Sequence, residues 1–304
     1  MHDELQLARP SIQIQTPSLR DLAAVFFRHK RLFVISFIAV VTLGVLYAAR
    51  LVLKGGEWSS ARLPNKTIVV SRALEAYYHS RYEKPVVYLP NGTELRQPLH
   101  GRELLRLGLT AGQYVLFLGR FSPEKNCDML IDAFEQVDTS MKLVLAGGSS
   151  HTDEYVAKLR AHESDKIRLL DWLSGDALAE VLTNAALFVL PSDMEGLSLA
   201  LLDAMGAGVC VLASDTPENR EVIANAGFMF RREEVEHLRQ MITMLIADAD
   251  LRAAIGRAGK RRVQQEYLWD GVTEQLEQMY RELTGSKRVR ASEPVGSATS
   301  GKAA

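Results

Sequence analysis

Two short loops carry residues whose types and spacing suit one kind of ligand. The first reads Gly119-Arg120-Phe121-Ser122-Pro123-Glu124-Lys125-Asn126, between an apolar run and a helical pattern. Ser122 suits an N-cap and Pro123 the first helical position. Lys125 is then expected in the first helical turn, where the dipole disfavours a cation by a few tenths of a kcal/mol. A bound anion would offset that cost, and with Arg120 alongside, phosphate is the natural ligand. A surface lysine balanced by Glu124 explains the same placement, and both readings stand at this point. The second loop reads Pro191-Ser192-Asp193-Met194-Glu195-Gly196-Leu197-Ser198. Glu195 and Gly196 are expected at a helix start, where the glycine lets backbone N–H groups come close to a ligand. Asp203 follows Glu195 by eight residues, about 12 Å along a helix. Two acids so far apart cannot share a proton or a metal, but they can reach opposite ends of one extended ligand, such as a nucleotide sugar.

The elements that must hold these loops alternate between two periodicities. Short apolar runs at 68–70, 86–89, 115–118, 142–146, 167–170, 187–190, 209–213 and 228–230 read as strands. Between most of them lie helical patterns, as in Met129, Leu130, Ala133, Phe134 and Val137. Such alternation predicts an α/β fold, a Rossmann-like parallel sheet with helices on both faces. Ligands of these sheets bind beyond the carboxyl ends of the strands, where both loops fall.

The remainder of the chain bounds the function classes. Of 304 residues, 36 are Lys or Arg and 37 Asp or Glu, a net charge of −1 that gives no support for nucleic-acid binding. Cys127 and Cys210 lie outside any metal-ligand spacing and read as buried free thiols. Residues 32–49 are 18 consecutive uncharged and mostly apolar residues, about 27 Å as a helix, and read with 50–53 as one transmembrane helix. Arg28, His29, Lys30 and Arg31 abut its start, which favours a cytoplasmic N-terminus. The segment 54–66 reads as a linker, and 286–304, almost without large apolar residues, as a disordered tail.

Taken in order, GRFSPEKN, LVLAGG, DWLSGDALAEVLTNAALFVLPS, EGLSLALLDAMGAGVCVLASD and PENREVI resemble the donor-binding lobe of retaining glycosyltransferases of family four, which have the two-lobed GT-B architecture. The resemblance covers roughly 64–284. It implies that Arg120 and Lys125 neutralise the diphosphate of a UDP- or GDP-sugar donor. It implies further that Glu195 contacts the transferred sugar, that the backbone at Gly196, Leu197 and Ser198 approaches sugar or phosphate, and that Asp203 holds the ribose. Gly119 belongs to the phosphate loop, and the base is placed near Asp171, Trp172 and Leu173. Glu195, Arg120 and Lys125 are the implied catalytic set. Charge neutralisation of the leaving diphosphate needs neither a cofactor nor a metal, and the Asp-x-Asp pattern at Asp248 and Asp250 reads as a helix junction. The family usually has Glu where Asp203 stands, which shortens the reach by about 1.5 Å. Gly147-Gly148-Ser149-Ser150 is a loose match to its Gly-x-Gly turn. His151 and His162 read as solvated. Arg220 and Glu221 suit an ion pair or a ligand role.

Residues 67–100 resemble only the end of the acceptor lobe and the crossover into a donor lobe at 101–285. Residues 1–31 read as a cytoplasmic or interfacial segment, and the anchor within the first 50 residues, PSLRDLAAVFFRHKRLFVISFIAVV, is similar to the N-terminus of polysaccharide chain-length determinant proteins. Two functions are open. One is a hexosyltransferase of envelope polysaccharide biosynthesis at the bacterial inner membrane, acting on a glycan or lipid-linked acceptor, with a partner chain supplying the acceptor lobe. The other is a catalytically silent donor-lobe fragment, either a nucleotide-sugar-binding or regulatory subunit or the product of a gene fusion or truncation. Topology sets a conflict, because a cytoplasmic N-terminus with one span places the donor lobe outside, whereas the donor requires the cytoplasmic face.

Overall fold

The computed structural model describes residue 59 and residues 63–83, 85–149 and 152–284. The chain divides into two compact units, Met1–Pro64 and Asn65–Ala304. The transmembrane segment at 32–53, most of the linker and the tail at 286–304 lie outside the described residues. Among the described residues, no helix is long and apolar enough to cross a membrane.

The second unit, Asn65–Ala304, opens with a small parallel pair, β1 (Ile68–Val69) and β2 (Val87–Tyr88), joined by α1 (Arg72–Tyr82). Ser71 caps α1 by accepting a hydrogen bond from Leu74 N at 3.2 Å. After α2 (Glu103–Arg106) comes a six-stranded sheet: β3 (Tyr114–Leu118), β4 (Lys142–Ala146), β5 (Ile167–Leu170), β6 (Leu187–Leu190), β7 (Val211–Ser214) and β8 (Phe228–Phe230). All its pairings are parallel, in the order β5-β4-β3-β6-β7-β8. The helices between are α3 (Cys127–Glu135), α4 (Asp153–Arg160), α5 (Gly175–Thr183), α6 (Leu199–Ala207) and α7 (Pro217–Ile223). Three more close the unit: α8 (Val235–Ala247), α9 (Ala249–Glu266) and α10 (Trp269–Thr284).

The expected sheet forms because its central strands are apolar on both faces. Tyr114, Val115, Leu116 and Phe117 of β3 and all of β6 are buried, so helices must cover both sides. The Tyr114 hydroxyl donates to Val181 O at 2.5 Å, which gives the one polar atom of that run a partner. The run expected at 209–213 becomes β7 at Val211–Ser214 for a local reason. Gly208 ends α6 at φ 79°, a conformation that favours glycine, and Val209 N still bonds back to Ala204 O at 3.0 Å. Both thiols are buried and free.

Strand order places the site. The chain runs β3, β4, β5 toward one edge, then returns to the other side of β3 and runs β6, β7, β8. The switch point therefore lies between β3 and β6, and the loops bearing Lys125 and Glu195 leave from those two strands.

Candidate functional site

The two loops are tied together at the switch point. Asn126 Nδ2 donates to Pro191 O at 3.1 Å, and Asp193 N donates to Glu124 O at 3.0 Å. Between them Lys125 Nζ lies 2.6 Å from Glu195 Oε1, with side chains 15% and 9% exposed. Arg120 stands outside this pair, 55% exposed and 3.8 Å from Glu124. Glu124 in turn accepts from Ser122 Oγ at 2.6 Å. That donation, helped by Arg120 and Lys125, holds the Glu124 carboxyl below its ordinary range.

Local structure differs from expectation in both loops. Pro123–Lys125 is a single 3₁₀ turn, and the α-helix starts only at Cys127, after Asn126 at φ 49°. Asn is among the few residues that tolerate this left-handed conformation. Lys125 therefore does not sit in the first turn of an α-helix, and the helix dipole gives no reason for an anion there. Its near burial against Glu195 takes that place. Neither is the expected placement of Lys125 as a surface side chain balanced by Glu124 met, because its partner is Glu195. In the second loop Ser198, not Glu195, begins the helix: its Oγ accepts from Leu201 N at 3.4 Å. Glu195 and Gly196 precede the helix, so the 12 Å helical spacing to Asp203 does not hold. A Cβ on Gly196 would meet only Val70 Cγ2, at 3.6 Å. Space alone does not demand a glycine there.

A cavity of about 160 Å³ opens beside these loops, lined in part by Gly119, Trp172, Leu173, Leu178 and Asp203. Trp172 is 59% exposed, and its indole packs so closely that a Cβ on Gly148 would fall 2.5 Å from Nε1. Gly147 is required outright, since its Cβ would lie 1.8 Å from Gly119 O. Phe121 N donates to Gly148 O at 2.9 Å, so the loose Gly-Gly turn locks the loop after β4 onto the loop after β3. Gly119, Trp172 and Asp203 thus share one cavity, while Lys125, Glu195 and Arg120 lie on the loops that flank it.

Several residues here had no role in the sequence reading. Thr93, buried in the crossover, donates its hydroxyl to Asp203 Oδ1. Asn91 Nδ2 donates to Leu197 O at 3.1 Å, which fixes the backbone at that position. Asn126, quoted only as part of a loop, is the tie between the two loops. Its signal was available as an Asn directly before a helical pattern; the partners of Asn91 and Thr93 lie over 100 residues away and left none.

The remaining candidates make the following contacts. Asp248 caps α9 by accepting from Leu251 N at 2.8 Å, so the Asp-x-Asp pattern is a helix junction. Among the described residues, no group of three or more His, Cys, Asp or Glu is placed to hold a metal. His162 pairs with Glu135 at 3.1 Å, and His151 lies outside the described residues. Arg220 pairs with Asp215 rather than with Glu221. Glu221 Oε2 instead accepts from Arg72 N at 2.7 Å, at the start of α1. Burial pushes the neighbouring Tyr88 phenol well above its ordinary value, with Tyr267 and Glu221 adding to the shift.

Comparison with known proteins places this arrangement. The alpha-maltose-1-phosphate synthase of Mycobacterium tuberculosis is 29% identical over 253 residues, covering 75% of this chain and 65% of its own length. Sucrose-phosphate synthase from Thermosynechococcus elongatus superposes with a TM-score of 0.65 at 25% identity, covering 73% of this chain and 59% of that one. Anabaena HepE, in complex with UDP and glucose, superposes with a TM-score of 0.69 at 20% identity, covering 76% of this chain and 66% of that one. The chain thus spans about two thirds or less of these proteins. Residues 109–262 match the family model for glycosyl transferases group 1. That stretch is half of the chain and contains both tied loops, and by it the chain belongs to the glycosyl transferases group 1 family.

Proposed function

We propose that the chain binds a UDP- or GDP-sugar at this switch point and transfers its hexose, with retention of configuration as in family four, to a glycan or lipid-linked acceptor. The observation that carries the reading is the junction of the loops after β3 and β6 around the Lys125–Glu195 pair, 2.6 Å apart, beside a cavity walled by Trp172 and Asp203. The exposed Arg120 and the largely buried Lys125 bind the diphosphate. Glu195 holds sugar hydroxyls, with the backbone at Gly196, Leu197 and Ser198 close by. Asp203 faces the ribose, and Trp172 with Leu173 flanks the base.

In the reaction the acceptor hydroxyl oxygen bonds to C1 of the sugar as the bond from C1 to the diphosphate oxygen breaks. The nucleoside diphosphate leaves with the electron pair, and the hydroxyl proton passes to the departing phosphate oxygen. Arg120 and Lys125 stabilise the negative charge that grows there, a role that needs only fixed positive charge. Several relatives are named for phosphorylated products or substrates, such as maltose 1-phosphate, sucrose phosphate and D-inositol 3-phosphate. A phosphate-bearing acceptor is therefore part of the proposal. So is a role in envelope polysaccharide synthesis at the inner membrane, with the donor lobe on the cytoplasmic face. A partner chain that completes the acceptor side also belongs to it.

A silent, nucleotide-binding lobe is the second reading, favoured by Asp203, whose Oδ1 is already engaged by Thr93. Calorimetry on the full chain with UDP and GDP, and then turnover of the matching sugar donors, tests both. No binding of either nucleotide would sink the proposal, whereas binding without turnover, with sugar-phosphate and lipid-phosphate acceptors supplied, would favour the second reading.

A further inference from the structure

A second cavity, shallow and open to solvent, of about 520 Å³, is lined by Arg72, Ala73, Pro217, Arg220 and Glu221. It lies where the start of α1 meets the start of α7, just beyond the carboxyl end of β7. Two contacts place it next to the donor-sugar loop. Val70, two residues before Arg72, is the side chain that approaches Gly196. Ser214, at the end of β7, donates its hydroxyl to Ser192 O in the loop after β6. The cavity is thus a neighbour of the loop that bears Glu195 and Gly196, at the end of β7 and so across β6 from the strand that precedes Trp172.

We infer that this cavity holds the phosphate of a phosphorylated acceptor, a site that rests on the glycosyl-transfer reading and adds the acceptor side to it. The lining supplies two guanidinium groups, and guanidinium forks match phosphate oxygens in pairs. Each arginine is now paired with an exposed carboxylate. Arg72 Nη1 lies 2.7 Å from Glu75, with side chains 61% and 34% exposed, and Arg220 pairs with Asp215 at 63% and 35%. Exposed pairs of this kind are weak, and a dianionic phosphate competes with them readily. Arg72 is further steadied by Tyr88, its guanidinium carbon 3.8 Å from the ring centroid. Glu221 also lines the cavity, and its Oε2 accepts from Arg72 N, which fixes the start of α1 at the edge. Two guanidinium donors for a phosphate, with a carboxylate beside them that can accept from a hydroxyl, describe a phosphorylated sugar or polyol.

The same chemistry can come from a free sugar phosphate or from the phosphate of a lipid carrier, and the test separates them. Glucose 1-phosphate, glucose, and phosphatidylcholine vesicles with and without undecaprenyl phosphate are titrated onto the full chain in the presence of UDP. Glucose 1-phosphate binding that falls about tenfold or more in Arg72→Gln/Arg220→Gln, with UDP affinity unchanged, assigns the site to a free sugar phosphate. Vesicle binding that needs both undecaprenyl phosphate and the two arginines assigns it to a lipid carrier. If neither probe binds better than its uncharged control, or the double variant binds the phosphate as tightly as the unmutated chain, the inference is overturned. Glu221→Gln, which keeps the shape, is expected to weaken glucose 1-phosphate binding less than the arginine changes do. Failure of UDP to bind the unmutated chain would count against the donor reading alone, and the two failures are thus distinct.

Discussion

Replacing Lys125 by methionine separates the two uses of the ion pair at the loop junction. The pair spans 2.6 Å with side chains 15% and 9% exposed, so methionine leaves Glu195 a mostly buried carboxylate without its cation. Removing one member of a buried pair costs about 3–5 kcal/mol, and the residual exposure here lowers the expected loss to about 2–3 kcal/mol. At about 2–4 °C per kcal/mol for a folded unit of this size, the melting midpoint falls by about 5–10 °C. Lys125→Met/Glu195→Gln removes both charges and recovers most of that loss, a coupling of about 2 kcal/mol in a double-mutant cycle. Nucleotide binding responds differently. A hydrogen bond to a charged group contributes about 1.5–3 kcal/mol, so affinity for UDP or GDP falls about 10- to 100-fold in Lys125→Met. It stays low in the double variant, because the phosphate has still lost its ammonium group. Thermal melts report the first half and calorimetry the second. A double variant that regains stability and full nucleotide affinity together refutes the reasoning, since it shows that the lysine serves only to balance Glu195.

Three further outcomes are expected. Gly147→Ala places a Cβ 1.8 Å from Gly119 O; urea unfolding should show a loss of at least about 1–3 kcal/mol, and nucleotide binding should weaken because the loop after β3 shifts. Asp203→Ala should lower UDP affinity about tenfold and abolish discrimination against 2′-deoxy-UDP; a variant that still discriminates removes Asp203 from the ribose. The buried thiols set an alkaline limit. Burial pushes Cys127 up and Cys210 up to about 12 from an ordinary value of 9.0. The folded state then holds protons that the unfolded chain releases, so this contribution is intact below pH 9 and is lost as pH rises toward 12. Iodoacetamide labelling of Cys210 at neutral pH should track global unfolding, and rapid labelling of the native chain would contradict that.

The six-stranded sheet was legible in the sequence because its central strands are short apolar runs buried on both faces. All eight runs became strands, and only the one at 209–213 moved appreciably. Its first residue, Val209, is spent leaving the left-handed Gly208 and closing the end of α6, while Cys210 already accepts from Phe188 N of β6. Helix starts were less legible. Ser122-Pro123 has the composition of an N-cap and first helical position, yet the chain makes one 3₁₀ turn and restarts at Asn126. The tolerance of Asn126 for a left-handed conformation permits the restart locally. The bond from Asn126 to Pro191 O, 65 residues away, favours it. Glu195 and Ser198 both suit a helix start, and the chain uses Ser198, whose Oγ accepts from Leu201 N.

The same distinction explains which parts of the site were readable. Arg120, Lys125, Glu195 and Asp203 are charged residues in or just after loops that follow strands, and position along the chain sufficed to single them out. The residues that hold them are small or neutral and act across the fold. Gly147 admits Gly119 O where any side chain would exclude it, and Thr93 reaches Asp203 from the crossover. Asn91 pins Leu197 from the same segment. These contacts bring the crossover and the loops after β3, β4 and β6 to one place, and without them the charged residues would be four unrelated surface groups. The crossover's part in this has a consequence for function. Through Val70, Asn91 and Thr93, residues 67–100 reach Gly196, the Leu197 carbonyl and Asp203. The crossover therefore helps set the geometry of the candidate site, and Thr93→Val should weaken nucleotide binding even though Thr93 itself is buried.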